Sequence, residues 1–110
     1  MPGTIFITAT DRNLFRVQYK SSEGEQLLEG APRDSKSRAL EDAQALRAGV
    51  VEDGRYHVAR NQDGNFFFHF LGECGEHLAV SPAYSNPEGL GRAIAIIKTC
   101  LPIAPLLDLA

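Results

Sequence analysis

The feature that most constrains this chain is that its pattern is written twice. Sliding the 110 residues by 51 positions sets Ile5 and Ile7 on Tyr56 and Val58, and Phe15, Val17 and Tyr19 on Phe66, Phe68 and Phe70. Gly24-Glu25 falls on Gly75-Glu76, and Leu27 on Leu78. Beyond that point one residue is dropped and the slide reads 50, so that Ser35, Leu40, Ala43, Ala45 and Leu46 fall on Ser85, Leu90, Ala93, Ala95 and Ile96. Chance does not preserve both the turn glycines and the apolar phase. Solenoids need about three or more repeats to bury a continuous core. Two copies therefore imply a closed arrangement with an internal pseudo-two-fold, repeat 1 over about 3–50 and repeat 2 over about 54–103, followed by an apolar tail at 104–110. The whole of 1–110 reads as a single domain, long enough to hold its own core.

Each copy has the same grammar. TIFITAT and RYHVAR alternate as strands, DRN and QDG are turns, and LFRVQY and NFFFHF are second strands. SEG and ECG are turns again, EQLLE and EHLAV third strands. A helix follows in each. Ser35 is a candidate N-cap, and Ser85 with Glu88 and Pro87 reads as a capping box with proline in the first turn. Leu90, Ala93, Ile94, Ile97 and Leu101 recur at helical spacing and should face the core, while Pro102 and Pro105 end that helix. Each copy is thus βββα.

The first hairpin fixes a register. A three-residue loop places its last residue in the left-handed region, where Gly is best and Asn tolerated; that position holds Asn13 in one copy and Gly64 in the other. The register then pairs Ile5 with Tyr19, Ile7 with Val17, Tyr56 with Phe70 and Val58 with Phe68. A two-residue loop would throw these residues onto opposite faces. A similar loop ending at Gly24 or Gly75 sets Leu27 beside Tyr19 and Leu78 beside Phe70.

The stretch GNFFFHFLGECGEHLAVSPAYSNPEGLGRAIAIIKTCLP, a hairpin, a Gly-Glu turn, then Tyr-Ser opening a helix that ends Lys-x-x-x-Pro, resembles the YegP-like family of small bacterial proteins. Residues 54–102 carry the resemblance, residues 4–47 more weakly. The resemblance implies an α+β fold in which antiparallel strands from two βββα units form one sheet with two helices packed on one face. It carries no catalytic residues, because no activity is established for the family. The chain departs from the pattern at Ala43 and Ala93, where the family has a helix glycine, and at Pro87, Phe67 and His69, where it has basic residues.

Function has to be sought on the sheet face turned away from the core. The register puts Tyr56, Val58, Phe66, Phe68, Phe70 and Leu78 on the core side. His57, Phe67, His69 and His77 take the other side, with Phe6, Arg16 and Gln18 from the first copy. His57 and His69 should lie opposite each other and His77 diagonal to His69. Three histidines on one face suggest a zinc site with an open position; the plainer alternative is a set of polar aromatic residues on an exposed strand. Aromatics on an open sheet also suggest an RNA-stacking platform, but Phe66, Phe68 and Phe70 point inward and the formal charge of −3 disfavours nucleic acid. An outward Phe67 near Phe6 makes an apolar patch of the kind that marks partner sites. The apolar tail, with Leu106, Leu107 and Leu109, could cover Phe67 within the chain or join it between two copies as a homodimer.

Catalysis has little support: no Ser-His-Asp set, phosphate loop or HExxH appears. Cys74 lies three residues before His77, Cys100 at the end of an apolar helix, and neither belongs to a CxxC. MPGTIFIT lacks the marks of a signal peptide, and the apolar stretches are too short to span a bilayer. The expectation is a cytoplasmic, non-enzymatic binding or interaction module. It would need no cofactor and would use Phe67, His69, His57, Phe6 and Arg16, with a protein partner or a second copy bound rather than nucleic acid or membrane. The alternative is a metal- or small-ligand-binding protein, possibly enzymatic, built on His57, His69 and His77.

Overall fold

A computed structural model describes residues 2–110. Seven strands form one mixed sheet: β1 (Thr4–Ala9), β2 (Phe15–Lys20), β3 (Gln26–Gly30), β4 (Tyr56–Arg60), β5 (Phe66–Leu71), β6 (His77–Val80) and β7 (Leu106–Asp108). Their order is β4-β5-β6-β3-β2-β1-β7. Helices α1 (Lys36–Gly49) and α2 (Pro87–Cys100) follow β3 and β6, and one-turn 3-10 helices span Asp53–Arg55 and Leu101–Ile103. A single buried cluster gathers Ile5, Ile7, Val17 and Tyr19 with Phe68 and Phe70 from the sheet, and Ala39, Leu46, Leu90 and Ile97 from the helices. Both helices therefore cover the same face, and the other face carries no layer of its own.

The hairpins form in the expected register. Ile5 pairs with Tyr19, Ile7 with Val17, Tyr56 with Phe70 and Val58 with Phe68. Asn13 at φ 59° and Gly64 at φ 78° occupy the left-handed positions that close the two loops. Each loop is braced from the residue before it: Thr10 Oγ1 accepts from the Arg12 and Leu14 amides, Asn61 Oδ1 from those of Asp63 and Asn65.

Three expectations need correction. First, the sheet is not purely antiparallel. The apolar tail forms β7, which pairs in parallel with β1 through Ile5↔Leu106, Phe6↔Leu107 and Ile7↔Asp108. Second, the third strands slip by one residue. Tyr19 faces Leu28 and Phe70 faces Ala79, because Leu27 and Leu78 are the extra residues of two β-bulges. The bulge explains why neighbouring residues are both buried: Leu27 and Leu28 reach the core, as do Leu78 and Ala79. Third, the slide never drops to 50. The bridge Phe15↔Arg33 recurs as Phe66↔Tyr84, 51 residues on, and pins each helix start at the same remove. Ser35 caps α1 by accepting from the Arg38 amide, and its counterpart is Asn86, which accepts from the Gly89 amide at 2.8 Å. Ser85 is not the cap, and the helix faces superpose as Ala39 with Leu90, Asp42 with Ala93 and Leu46 with Ile97, all buried.

Val58 also departs from expectation. It points to the helix side yet is 50% exposed, whereas Ile7 at the matching position of β1 is fully buried. The cause is cover rather than phase. α1 packs on β1, β2 and the turn at Leu101–Ile103, while α2 makes its sheet contact on β5. Arg47 Nη2 donates to the Ala104 carbonyl at 2.9 Å and holds the tail against α1. Lys98, the matching residue of α2, is instead ion-paired with Asp53.

Candidate functional site on the open sheet face

The strand registers join into a continuous row across the uncovered face: His57, His69, Val80, Glu29, Gln18, Phe6 and Leu107. Every expected site residue lies on this face, though not in one place. Phe67, His69 and His57 sit on β5 and β4, Arg16 on β2, and Phe6 beyond it on β1. Phe6 is four strands along the sheet from His69 and packs beneath Lys20, whose Nζ lies 5.5 Å from its ring centre. Phe67 and the tail stand near opposite edges of the sheet, so β7 does not cover Phe67.

The dense part of the face is the second half. His69 is its centre: its ring lies 4.3 Å from that of His77 at an interplanar angle of 31°, and 5.3 Å from Phe67 in an edge-on arrangement. The β6 bulge produces the first contact. It shifts the phase of β6 so that His77 faces Leu71, next to His69 on the open side. Partial burial, and then the neighbouring His77 and His57, push the His69 pKa below its ordinary value. His69 is therefore neutral near pH 7 and offers one donor and one acceptor rather than a charge.

Across the middle of the sheet the chemistry changes. Arg16 pairs with one oxygen of Glu29, and Gln26 Nε2 donates to the other at 2.8 Å. Between this polar group and the histidines lies a cleft of about 290 Å³, bounded by Arg16, Glu29, Pro32, His69, His77 and Val80. Its floor is the β3–β6 junction, where the two halves meet through Glu29↔Val80 and Gly30↔Ala79. Glu29, Pro32, Val80 and Gln26 were not foreseen as site residues. The Glu29 signal was the acidic residue that follows Leu27-Leu28 in the third strand, but its placement needed the pairing between the halves.

Among the described residues, no three His, Cys, Asp or Glu side chains are grouped to hold a metal ion. His57 faces His69 across the ladder but stays exposed, so a metal would have to draw the three rings together. Cys74 is exposed in its turn, with its amide donating to Glu76 Oε1, and Cys100 packs beside the core. No described helix is long and apolar enough to cross a membrane.

No family model matches the chain. In sequence it is similar to the UPF0339 protein YegP of Escherichia coli K12 and of Shigella flexneri, at 24% identity over 98 residues, 89% of this chain and 89% of each relative. In structure it is similar to the solution structure of E. coli YegP, a protein of unknown function, with a TM-score of 0.93 and 22% identity over 99% of this chain and 94% of that one. UPF0339 protein SO3888 of Shewanella oneidensis gives a TM-score of 0.93 and 17% identity, covering 99% and 92%. At these identities the structural likeness speaks for the fold alone. The resemblance first carried by residues 54–102 is thus met in sequence and in fold: this chain is similar in sequence to the UPF0339 protein YegP and shares the fold of two UPF0339 proteins.

Proposed function

We propose that the chain is a duplicated βββα unit with an internal pseudo-two-fold, working in the cytoplasm as a non-enzymatic module that binds a protein partner on its open sheet face. The duplication draws support from features that recur at a constant interval of 51: the bulges after Tyr19 and Phe70, the bridges Phe15↔Arg33 and Phe66↔Tyr84, and the helix caps Ser35 and Asn86. The pairing Glu29↔Val80 joins two matching positions, as an axis between β3 and β6 requires.

The observation that carries the binding reading is the cleft at this junction. It is shallow and open, with apolar Pro32 and Val80, a neutral imidazole on one side and an Arg-Glu pair on the other. Such a surface suits one apolar or aromatic anchor of a partner, with hydrogen bonds from the rim. The formal charge of −3 favours a protein partner over nucleic acid. The second reading, a metal or small-ligand site on His57, His69 and His77, has the close approach of His69 and His77 in its favour. Stoichiometric zinc that is lost in His69→Ala would make that reading the better one.

The test is site-specific photo-cross-linking in cell extract. A photoreactive residue at position 69 should yield one defined protein adduct, weakened by Arg16→Glu, while the same residue at Glu41 on the outer surface of α1 yields none. Equal labelling from both positions, or none from 69, would contradict the proposal.

A further inference from the structure

We infer that β4 is a self-association edge, and that two copies of the chain join their sheets by pairing β4 with β4 antiparallel about Val58. The inference rests on the backbone of the edge and is independent of what the open face binds. β1 shows which groups face outward: the Ile5 amide donates to the Pro105 carbonyl at 2.9 Å, and the Ile7 carbonyl accepts from the Leu109 amide at 2.8 Å. The matching residues of β4, 51 positions on, are Tyr56 and Val58, and among the described residues no strand lies beyond them. One outward group is already used, because the Tyr56 amide donates to the Asp53 carbonyl. The Tyr56 carbonyl, both Val58 groups and the Arg60 amide remain.

That remaining set is self-complementary. In an antiparallel pair, directly opposed residues exchange both N–H···O bonds at alternate positions. With Val58 opposite Val58 of the second copy, the two exchange both bonds. At each end the Arg60 amide then reaches the Tyr56 carbonyl across the axis. Two-fold pairing would forgo one bond at each end, from the Tyr56 amide, already committed to Asp53, to the Arg60 carbonyl, which stays with water. A parallel strand in the manner of β7 would instead need that amide free, as Ile5 uses its own. This difference selects a second copy over a tail-like peptide.

The side chains agree. Val58, half exposed on the helix side, would meet its twin at the centre of the contact. Arg60, the cation of β4, is folded back over the Phe66 ring at 4.8 Å and onto the Gly64 carbonyl, clear of the edge. β4 carries no proline and no bulge, two of the usual devices that blunt an edge. The opposite edge is blunted: β7 has only three residues, and Asp108 at its end is held by Lys36 at 3.1 Å. On the open face His57 would stand opposite Ala59 of the second copy, extending the histidine and Phe67 surface across both molecules.

Pairing of two short strands buries less than the ~1,200 Å² of a lasting complex, so the dimer is weak and forms with rising concentration. Sedimentation equilibrium from micromolar to millimolar protein should show the mass climb from monomer toward dimer. Val58→Pro removes the central amide at an edge position where proline is tolerated, and should hold the protein monomeric. Leu107→Lys on β7 should leave association unchanged. If Val58→Pro does not fold, amide exchange of the unmodified protein decides: the Val58 and Arg60 amides should gain protection as concentration rises. A monomer at millimolar concentration, an association that survives Val58→Pro, loss of association in Leu107→Lys, or protection gained on β7 instead of β4 would each overturn the inference.

Discussion

The leading strands of the two first hairpins, β1 and β4, occupy matching places and live under different cover. β1 has β7 along its edge and α1 packed on it, and Ile7 is fully buried. β4 has neither, and Val58 is half exposed. Both strands alternate in the same phase and pair with their neighbours in the same register. The difference teaches that burial here is conferred by the cover that α1 and the tail give, and that a strand can keep its place in a fold while its edge is released for another use. The open face shows the same division. Arg16 and Gln26 both bind Glu29 on the first half, while Phe67, His69 and His77 leave a surface of packed rings on the second.

The comparison can be broken most forcefully at the paired apolar positions. Ile7→Ala should cost about 2–5 kcal/mol in urea unfolding, because it opens a cavity in a packed core. Val58→Ala should cost less than about 1 kcal/mol, since half of that side chain already meets water. Equal losses would mean that the tail gives β1 no protection.

Next in size is an exchange between the helices. Asp42 is buried and receives two hydrogen bonds from Arg33, while the matching residues are Ala93 and Tyr84. Arg33→Ala strands the carboxylate and should cost about 1–3 kcal/mol. Arg33→Tyr combined with Asp42→Ala writes the second half's solution into the first and should recover most of that loss, because no unpaired charge is left behind. Chemical denaturation of the single and double variants gives the coupling. Leu109→Pro is gentler. It removes the donor to the Ile7 carbonyl, should cost about 1 kcal/mol, and should speed amide exchange along β1 with no change on β4.

The smallest effect is one of pH. The fold disfavours protonated His69, so on acidification the unfolded chain takes up its proton first, near the ordinary value of 6.5. Above that value both states are neutral and His69 contributes nothing to the pH dependence. Below it the fold loses stability, and the loss is complete once pH has passed the depressed native value. His69→Gln, which installs the residue found at the matching position 18, should flatten the fall in melting temperature between about pH 7.5 and 5. An unchanged profile would show that His69 ionises as it does in the unfolded chain.

Much of this was legible in the residues. Alternation and the left-handed positions Asn13 and Gly64 gave both first hairpins, and the repeat gave the element order. Three things were not. Leu27-Leu28 and Leu78-Ala79 are apolar in both phases, so a bulge that buries both cannot be told from a simple ladder until the strands are paired. Ser85 looks like a cap, but the bridge of Tyr84 to Phe66 sets the helix start one residue later, and that bridge joins residues 18 positions apart. The tail is too short and too uniformly apolar to announce a strand. Its partner is at the other end of the chain, and β7 could be found only through the edge of β1. The site suffered from the same gap. His57, His69 and Phe67 follow from one hairpin, whereas Glu29 and Val80 come together only where the halves meet.

The most direct test of an edge left open is amide exchange on dilute protein. The Ile7 amide, which faces β7, should exchange slowly, and the Val58 amide, which faces water, should exchange close to the rate of an unstructured chain. A Val58 amide as protected as that of Ile7 in the monomer would contradict the open edge and, with it, the distinction between the two halves.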